Sequence, residues 1–87
     1  GFNAQSGSIL WLEIEAIDRP YLLRDATIAI SDNGGNILVA KSLTNSKRIV
    51  TLLFQVEISG NEQLDSIITD AKNIENVFDV QRVNPGN

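Results

Sequence analysis

The sequence predicts an α+β fold in which two helices cover one face of a four-stranded antiparallel sheet, and two observations carry this prediction. Apolar side chains alternate with polar ones in four segments, which is the period of a β-strand. In two further segments they recur at every third or fourth position, which is the period of a helix. The resulting order is β-α-β-β-α-β, and each helix has a single apolar stripe. Both helices are therefore expected on the same face of the sheet, joined by right-handed crossovers, as in the ferredoxin-like sandwich.

The first half of the chain predicts a strand, a helix and a glycine turn. The strand spans residues 9–17, and its alternate side chains form an apolar set and a mixed set: Leu10, Leu12, Ile14 and Ala16 against Trp11, Glu13 and Glu15. Pro20 suits a first helical turn. The helix after it has an apolar stripe with Thr27 at its margin, formed by Leu22, Leu23, Ala26 and Ile30. Asn33-Gly34-Gly35-Asn36 is expected to end that helix, because glycine and asparagine adopt the left-handed conformation readily.

The second half predicts a hairpin, a helix and a last strand. Strands over residues 37–43 and 49–58 flank a polar turn, and the second of them alternates Val50, Leu52, Phe54, Val56 and Ile58 on one face. Ser59 and Glu62 have the spacing of a capping box at the start of a helix. That helix places four apolar side chains on one face: Leu64, Ile67, Ile68 and Ala71. A loop over residues 73–76 leads to a strand over residues 77–83.

Composition narrows the class of protein. The chain has 87 residues, enough for one domain, and its formal net charge of −4 disfavours a general nucleic-acid surface. It contains neither cysteine nor histidine, so disulfides, thiolate metal sites and the commonest general base are excluded. No metal, cofactor or membrane partner is expected, and a cytoplasmic location fits. Residues 1–8 are expected to be a flexible linker or an expression remnant, residues 9–83 the domain, and residues 84–87 a tail.

A short motif resembles a known family. Asp18-Arg19-Pro20-Tyr21-Leu22-Leu23 is similar to the DRxGLL turn between the first strand and first helix of ACT domains. Arg24-Asp25 extends it to LLRD, and Val77, Val80 and Arg82 form a VxxVxR ending. Both features resemble the C-terminal regulatory domain of long-form (p)ppGpp synthetase/hydrolases, the GTP pyrophosphokinases of the bacterial stringent response. The resemblance covers residues 9–83.

The resemblance implies a non-catalytic regulatory domain that couples nutrient or ribosome state to catalysis elsewhere in the parent chain. The catalytic domains of that enzyme would be its partners. An amino-acid-binding ACT domain of a biosynthetic enzyme, or a stand-alone sensor, is the alternative.

The resemblance also places a small amino acid at residues 18–23, with residues 33–36 beside it. Free N–H groups at a helix start favour the carboxylate of such a ligand. Tyr21 stands where the family usually has glycine, and its side chain would tend to fill the ligand's space. A structural interpretation, in which the Asp18 carboxylate caps the helix, is therefore favoured over ligand binding.

The resemblance further implies a homodimer formed by ACT–ACT pairing. With the usual sheet order 4-1-3-2, the second strand lies at an edge, and the residues expected to pair there are Ile37, Val39 and Lys41. A Val39→Pro substitution is expected to abolish such dimers.

Two surface features allow more than one interpretation. Lys47 and Arg48, at the hairpin tip, could contact ribosomal RNA through the parent protein, although ordinary solvated charge beside an edge strand is the stronger interpretation. Trp11 lies opposite the apolar set of its strand. It indicates either a docking surface or partial burial by long neighbouring side chains.

Overall fold

The structure is a computed structural model and describes residues 7–84. Its elements follow the predicted order: β1 (Ser8–Ile17), α1 (Leu22–Ser31), β2 (Asn36–Thr44), β3 (Ile49–Ile58), α2 (Asn61–Lys72) and β4 (Val77–Val83). β3 and β4 have the predicted bounds, whereas β1 begins one residue earlier and β2 extends by one residue at each end. The linker expected at residues 1–8 and the tail expected at residues 84–87 lie outside the described residues except for residues 7, 8 and 84, of which Ser8 belongs to β1.

The four strands form one antiparallel sheet in the order β2-β3-β1-β4, which confirms the predicted topology. β1 and β3 pair along their whole length, from Ser8 opposite Ile58 to Ile17 opposite Ile49. β2 and β4 form the two edges, and each carries one irregularity in its register. The described chain enters at the start of β1 and leaves at the end of β4, beside the β3–α2 turn. The β1–α1 turn and the β2–β3 hairpin lie at the opposite end.

Both helices cover one face of the sheet, and the core lies between the two layers. Alternate residues of β1 and β3 are buried as predicted, and the helices add Leu22, Ala26, Ala29, Ile30, Leu64, Ile67 and Ala71. The predicted place of Leu23 in this core is wrong, since its side chain is 46% exposed. Successive residues are rotated by about 100° around a helix, so a stripe centred on Leu22 and Ala26 leaves Leu23 at its flank. Ala29 takes the position instead.

The predicted starts of the two helices are corrected by their backbone. The N-cap of α2 is Gly60, without a side-chain cap, so the Ser59–Glu62 capping box does not form. Because the helix begins one residue later, Gln63 rather than Glu62 is the residue that bonds back to the chain before the helix. Its Oε1 accepts the Ser59 N–H at 2.5 Å. Pro20 likewise lies just before α1, whose N-cap is Tyr21. Neither helix, at ten and twelve residues, has the length and hydropathy needed to cross a membrane.

Candidate functional site

The turn between β1 and α1 holds a tyrosine in the left-handed conformation. Tyr21 has φ 67° and ψ 12°, a conformation that costs a residue with a Cβ about 1–2 kcal/mol and that glycine adopts freely. Its side chain is 67% exposed, and the guanidinium carbon of Arg24 lies 4.5 Å from the ring centroid. The expectation that this ring fills the ligand's space stays a prediction. The ring lies outside, against Arg24, in cation–π geometry.

No side chain caps the start of α1. The first helical bond runs from the Asp25 N–H to the Tyr21 oxygen at 3.0 Å, and Tyr21 makes no side-chain cap. The predicted Asp18 cap is wrong, because the helix begins after Tyr21 and leaves Asp18 three residues before the N-cap. The first N–H groups of α1 are consequently not engaged by a capping side chain.

Arg19 ties this turn to the loop between α2 and β4. Its Nε donates to the Glu75 oxygen at 3.0 Å, its Nη1 to the Pro20 oxygen at 3.0 Å, and its Nη2 to Asp25 Oδ2 at 2.9 Å. Arg24 donates to the other carboxylate oxygen of Asp25 at 3.0 Å. These two hydrogen-bonded guanidinium groups, Arg19 first, hold the pKa of Asp25 below its ordinary value. Arg19 is thus committed to internal contacts.

The hairpin tip is bonded to the same turn from the other side. The Asp18 N–H donates to the Arg48 oxygen at 2.8 Å, and Arg48 Nη2 donates to the Asp18 oxygen at 3.4 Å. Arg48 is left-handed, with φ 66°, and closes a short loop whose first bond runs from the Asn45 N–H to the Ile49 oxygen. Lys47 is exposed and forms no ion pair with residues 7–84. Of the two predicted RNA contacts, Lys47 presents a free charge and Arg48 is partly tied.

Two glycines make the turn between α1 and β2, for different reasons. Gly34 has φ 81°, the left-handed conformation expected at a helix C-terminus. A Cβ on Gly35 would lie 2.7 Å from Ile30 Cγ2, so Gly35 is required by close packing. Both glycines are explained without a ligand.

Side-chain hydrogen bonds fasten this turn to α2. Asn33 Nδ2 donates to the Ala29 oxygen at 2.7 Å and to Asp70 Oδ2 at 2.8 Å. Gln63 Nε2 donates to the Asn33 oxygen at 2.8 Å while its Oε1 accepts from Ser59. These hydrogen bonds join the turn to α2. The sequence offered no signal for Gln63, because its role depends on where the two helices meet.

The two segments predicted to bind a ligand lie at opposite ends of α1. Residues 18–23 are at its start and residues 33–36 follow its end. A helix of ten residues is about 15 Å long. Within one chain the structure does not bring these two segments together, so a site made from both requires a second copy.

β2 is an edge strand, and one hydrogen bond of the hairpin shows which of its N–H groups point outward. The Asn45 N–H donates across to the Ile49 oxygen, and N–H groups alternate from one side of an antiparallel strand to the other. Following the register back from Asn45, Val39 directs its N–H towards β3. Ala40 and Ser42 direct theirs towards the free edge. Sequence alone identified the strand, but it contains no information on this alternation.

The face of the sheet that carries no helix is called the open face here. Its residues are Ile9, Trp11, Glu13, Glu15, Ile17, Val39, Lys41, Leu43, Ile49, Thr51, Leu53, Gln55, Glu57, Asp79, Gln81 and Val83. Trp11 is half-buried among them, and Lys41 Nζ lies 6.0 Å from its ring centroid. Trp11 is thus partly buried by its neighbours, and it also lies on the face where a partner would dock.

The described residues contain no recognisable metal centre, and a depression in their surface lies away from the predicted site. Within residues 7–84, no group of three or more Asp, Glu, His or Cys side chains is placed to hold a metal ion. A depression of about 390 Å³ lies at the β3–α2 turn, lined by residues 59–63. None of the predicted ligand residues contributes to it.

A two-layer βαββαβ sandwich with this β1–α1 turn defines a class of small domains, and comparison with known proteins identifies the family. The profile of the ACT domain matches residues 7–82. The chain belongs to the ACT domain family.

Similar proteins confirm the predicted resemblance to (p)ppGpp enzymes. The GTP pyrophosphokinase of Streptomyces antibioticus is 37% identical over 75 residues, which cover 86% of this chain and 9% of that protein. The bifunctional (p)ppGpp synthase/hydrolase RelA of Mycobacterium tuberculosis is 36% identical over 72 residues, covering 83% and 10%. The chain thus spans about a tenth of these relatives.

A solved structure agrees with the fold. The ACT domain from the GTP pyrophosphokinase of Chlorobium tepidum superposes with a TM-score of 0.77 at 18% identity, covering 88% of this chain and 99% of that one.

Proposed function

We propose that this chain is the regulatory ACT domain of a GTP pyrophosphokinase, a (p)ppGpp synthetase/hydrolase, and relays nutrient or ribosome state to catalytic domains elsewhere in the parent chain. The observation that carries the proposal is the match to about a tenth of each relative. Since the sequence has neither histidine nor cysteine, it lacks the usual metal ligands and general base. Catalysis is assigned to other parts of the parent, and this domain acts through its contacts.

The contact best suited to such coupling is pairing of two copies through β2. Its free N–H groups at Ala40 and Ser42 can pair with the same strand of a second copy, extending the sheet to eight strands. Charge does not oppose this, because the side chains of β2 include one basic residue, Lys41, and no acidic one. Two-fold symmetry makes the two β2 strands antiparallel.

Such a pair would also complete the predicted ligand site. In a two-fold pair the two α1 helices run antiparallel beside the joined strands. Residues 18–23 of one copy then approach residues 33–36 of the other, which one chain alone keeps about 15 Å apart. A signal bound there would favour one arrangement of the pair over another, which is what coupling requires.

The test is a pair of proline variants on the two edge strands. Ser42→Pro removes an outward N–H of β2 and should convert a dimer into a monomer in sedimentation velocity. Val39→Pro, the variant that the sequence suggested, is a poorer test of pairing. Val39 directs its N–H to β3, so the variant would damage the sheet itself.

Arg82→Pro is the matched control. Ile17 donates its N–H towards β4, to Asn76, and by alternation Arg82, opposite Leu12, directs its own N–H outward from β4. The control should remain dimeric. A Ser42→Pro variant that stays folded and dimeric would refute pairing through β2. In the parent enzyme, Ser42→Pro should alter the balance of (p)ppGpp synthesis and hydrolysis.

A small amino acid is the second candidate signal, and the start of α1 favours it. Its first N–H groups lack a capping side chain, and the exposed Tyr21 ring lies against Arg24. Titration with a panel of amino acids, followed by amide NMR, should shift residues 18–23 and 33–36 together. Shifts at one segment alone would contradict a site shared between two copies, and silence in a dimeric sample would exclude this ligand class.

An RNA contact at the hairpin tip remains a prediction. Lys47 and Arg48 are the two basic residues there. Binding of the parent protein to ribosomes should lose salt dependence when both are replaced by glutamine.

A further inference from the structure

The β2–β3 half of the open face carries aliphatic side chains among polar ones, which are Lys41, Thr51, Gln55 and Glu57. Val39 and Leu43 of β2 and Leu53 of β3 project from it, and Leu43 is 72% exposed. Trp11 continues this surface on β1, with Lys41 extended above its ring. Neither α1 nor α2 covers these side chains, so they are available to an apolar partner surface.

The other half, over β1 and β4, is acidic. Glu13 and Glu15 lie on β1, and Asp79 lies opposite Glu15 on β4. This half also carries the exposed side chains of Ile9 and Ile17, and Lys41 reaches it only above the ring of Trp11. Among residues 7–84 none of the three carboxylates forms an ion pair. Glu13 has only a hydrogen bond from Gln81 at 3.1 Å.

Directly opposed like charges destabilise a sheet, so the pair of Glu15 and Asp79 is unfavourable in the isolated domain. A cationic partner would relieve this repulsion. A metal ion alone does not fit, since the described carboxylates do not converge to hold one. A second copy of this face would bring acid against acid, and nucleic acid would bring phosphate against acid.

We propose that the open face docks a basic amphipathic helix of a protein partner. An apolar stripe on such a helix would cover the β2–β3 half, and lysine or arginine side chains beside the stripe would reach the carboxylates of the β1–β4 half. Docking would convert two layers into three, which is the usual way in which a sheet covers both faces. The open face is distinct from the β2 edge, so this inference does not rest on the proposed pairing.

Trp11 provides a local probe because it is the only tryptophan in the chain. The 87-residue chain would be titrated with a synthetic helix of about 18 residues, leucine at i, i+3, i+4 and i+7 and lysine elsewhere. A saturable change in Trp11 emission that weakens at high salt is expected. A scrambled peptide of the same composition, without the stripe, should bind far more weakly. Equal binding of the two peptides would overturn the proposal.

Two double variants with the same net charge locate the interaction. Glu15→Gln with Asp79→Asn should weaken the leucine–lysine peptide by roughly tenfold. Asp32→Asn with Asp65→Asn removes two exposed carboxylates from the helical layer and should change little. Equal weakening by both double variants would show that the peptide is attracted by net charge alone, which would contradict the proposal. Tighter binding of a single-stranded RNA than of the peptide would show that a protein helix is the wrong class of partner. Sedimentation of the two double variants tests dimer formation through β2 separately, since none of the four substituted residues lies in β2.

Discussion

Leu52 and Leu53 are neighbours on β3 and have the same side chain, yet they face different environments. Leu52 points under the helices and is 1% exposed, whereas Leu53 lies half-buried on the open face. The same contrast holds across the sheet. The covered face is apolar throughout, and no polar or charged side chain is buried there among the described residues. The open face mixes aromatic, aliphatic and acidic side chains. Packing therefore accounts for one face, while the other retains features that folding alone does not require.

The largest expected effect compares these two leucines directly. Leu52→Ala should lower the free energy of unfolding by about 2–5 kcal/mol, because it leaves a cavity in a closed core. Leu53→Ala should cost less than about 1 kcal/mol, because solvent already reaches the site. Urea denaturation of both variants measures the difference. If the two losses were equal, the open face would have to be counted as core.

The sequence predicted the structure correctly where apolar and polar side chains alternate regularly along a strand. Alternation predicted the buried residues of β1 and β3 and the bounds of β3 and β4, because a strand sends neighbouring side chains to opposite faces. It failed where a single backbone angle decides. The left-handed Tyr21 moves the start of α1, so the predicted Asp18 cap and the predicted place of Pro20 in the first helical turn were both wrong. Leu23 was misplaced for another reason, since it lies at the flank of the apolar stripe. For the candidate site, the sequence predicted residues 18–23 and 33–36 as ligand residues, which stays a prediction, and it gave no sign that the length of α1 separates them.

The next largest effect concerns the anchoring of α1 above the covered face. Asp25→Asn should lower stability at neutral pH, because it weakens the bonds from Arg19 and Arg24. The pKa of Asp25 is lower in the folded than in the unfolded chain. Its contribution is thus present above the unfolded pKa and is lost as the pH falls through the folded pKa. Denaturation at several pH values should show the two proteins converging in acid. A difference that grew in acid would contradict this assignment.

A smaller effect is expected at the start of the same helix. Tyr21→Gly should leave stability within a few tenths of a kcal/mol, since relief of the left-handed strain offsets both the entropy cost of glycine and the lost contact with Arg24. Tyr21→Ala keeps the strain and loses the contact with Arg24, so it should cost about 0.5–1 kcal/mol. Thermal denaturation distinguishes them. Alanine as stable as glycine would mean that Tyr21 is not strained in solution.

The smallest expected effect concerns the two carboxylates that oppose each other on the open face. Glu15→Gln should raise the free energy of unfolding by a few tenths of a kcal/mol, because it removes the repulsion from Asp79 across the sheet. The gain should vanish at high salt. A loss of stability instead would show that Glu15 makes a favourable contact within the domain.

We propose that this domain acts by pairing through the edge strand β2, and backbone amides report such pairing residue by residue. A dilution series of the 87-residue chain followed by amide NMR reports each backbone N–H separately. Concentration-dependent shifts should concentrate on Ala40 and Ser42, whose N–H groups point outward, and should spare the amides of β4. Shifts confined to β4 or the open face, or no change up to the highest concentration, would contradict pairing through β2.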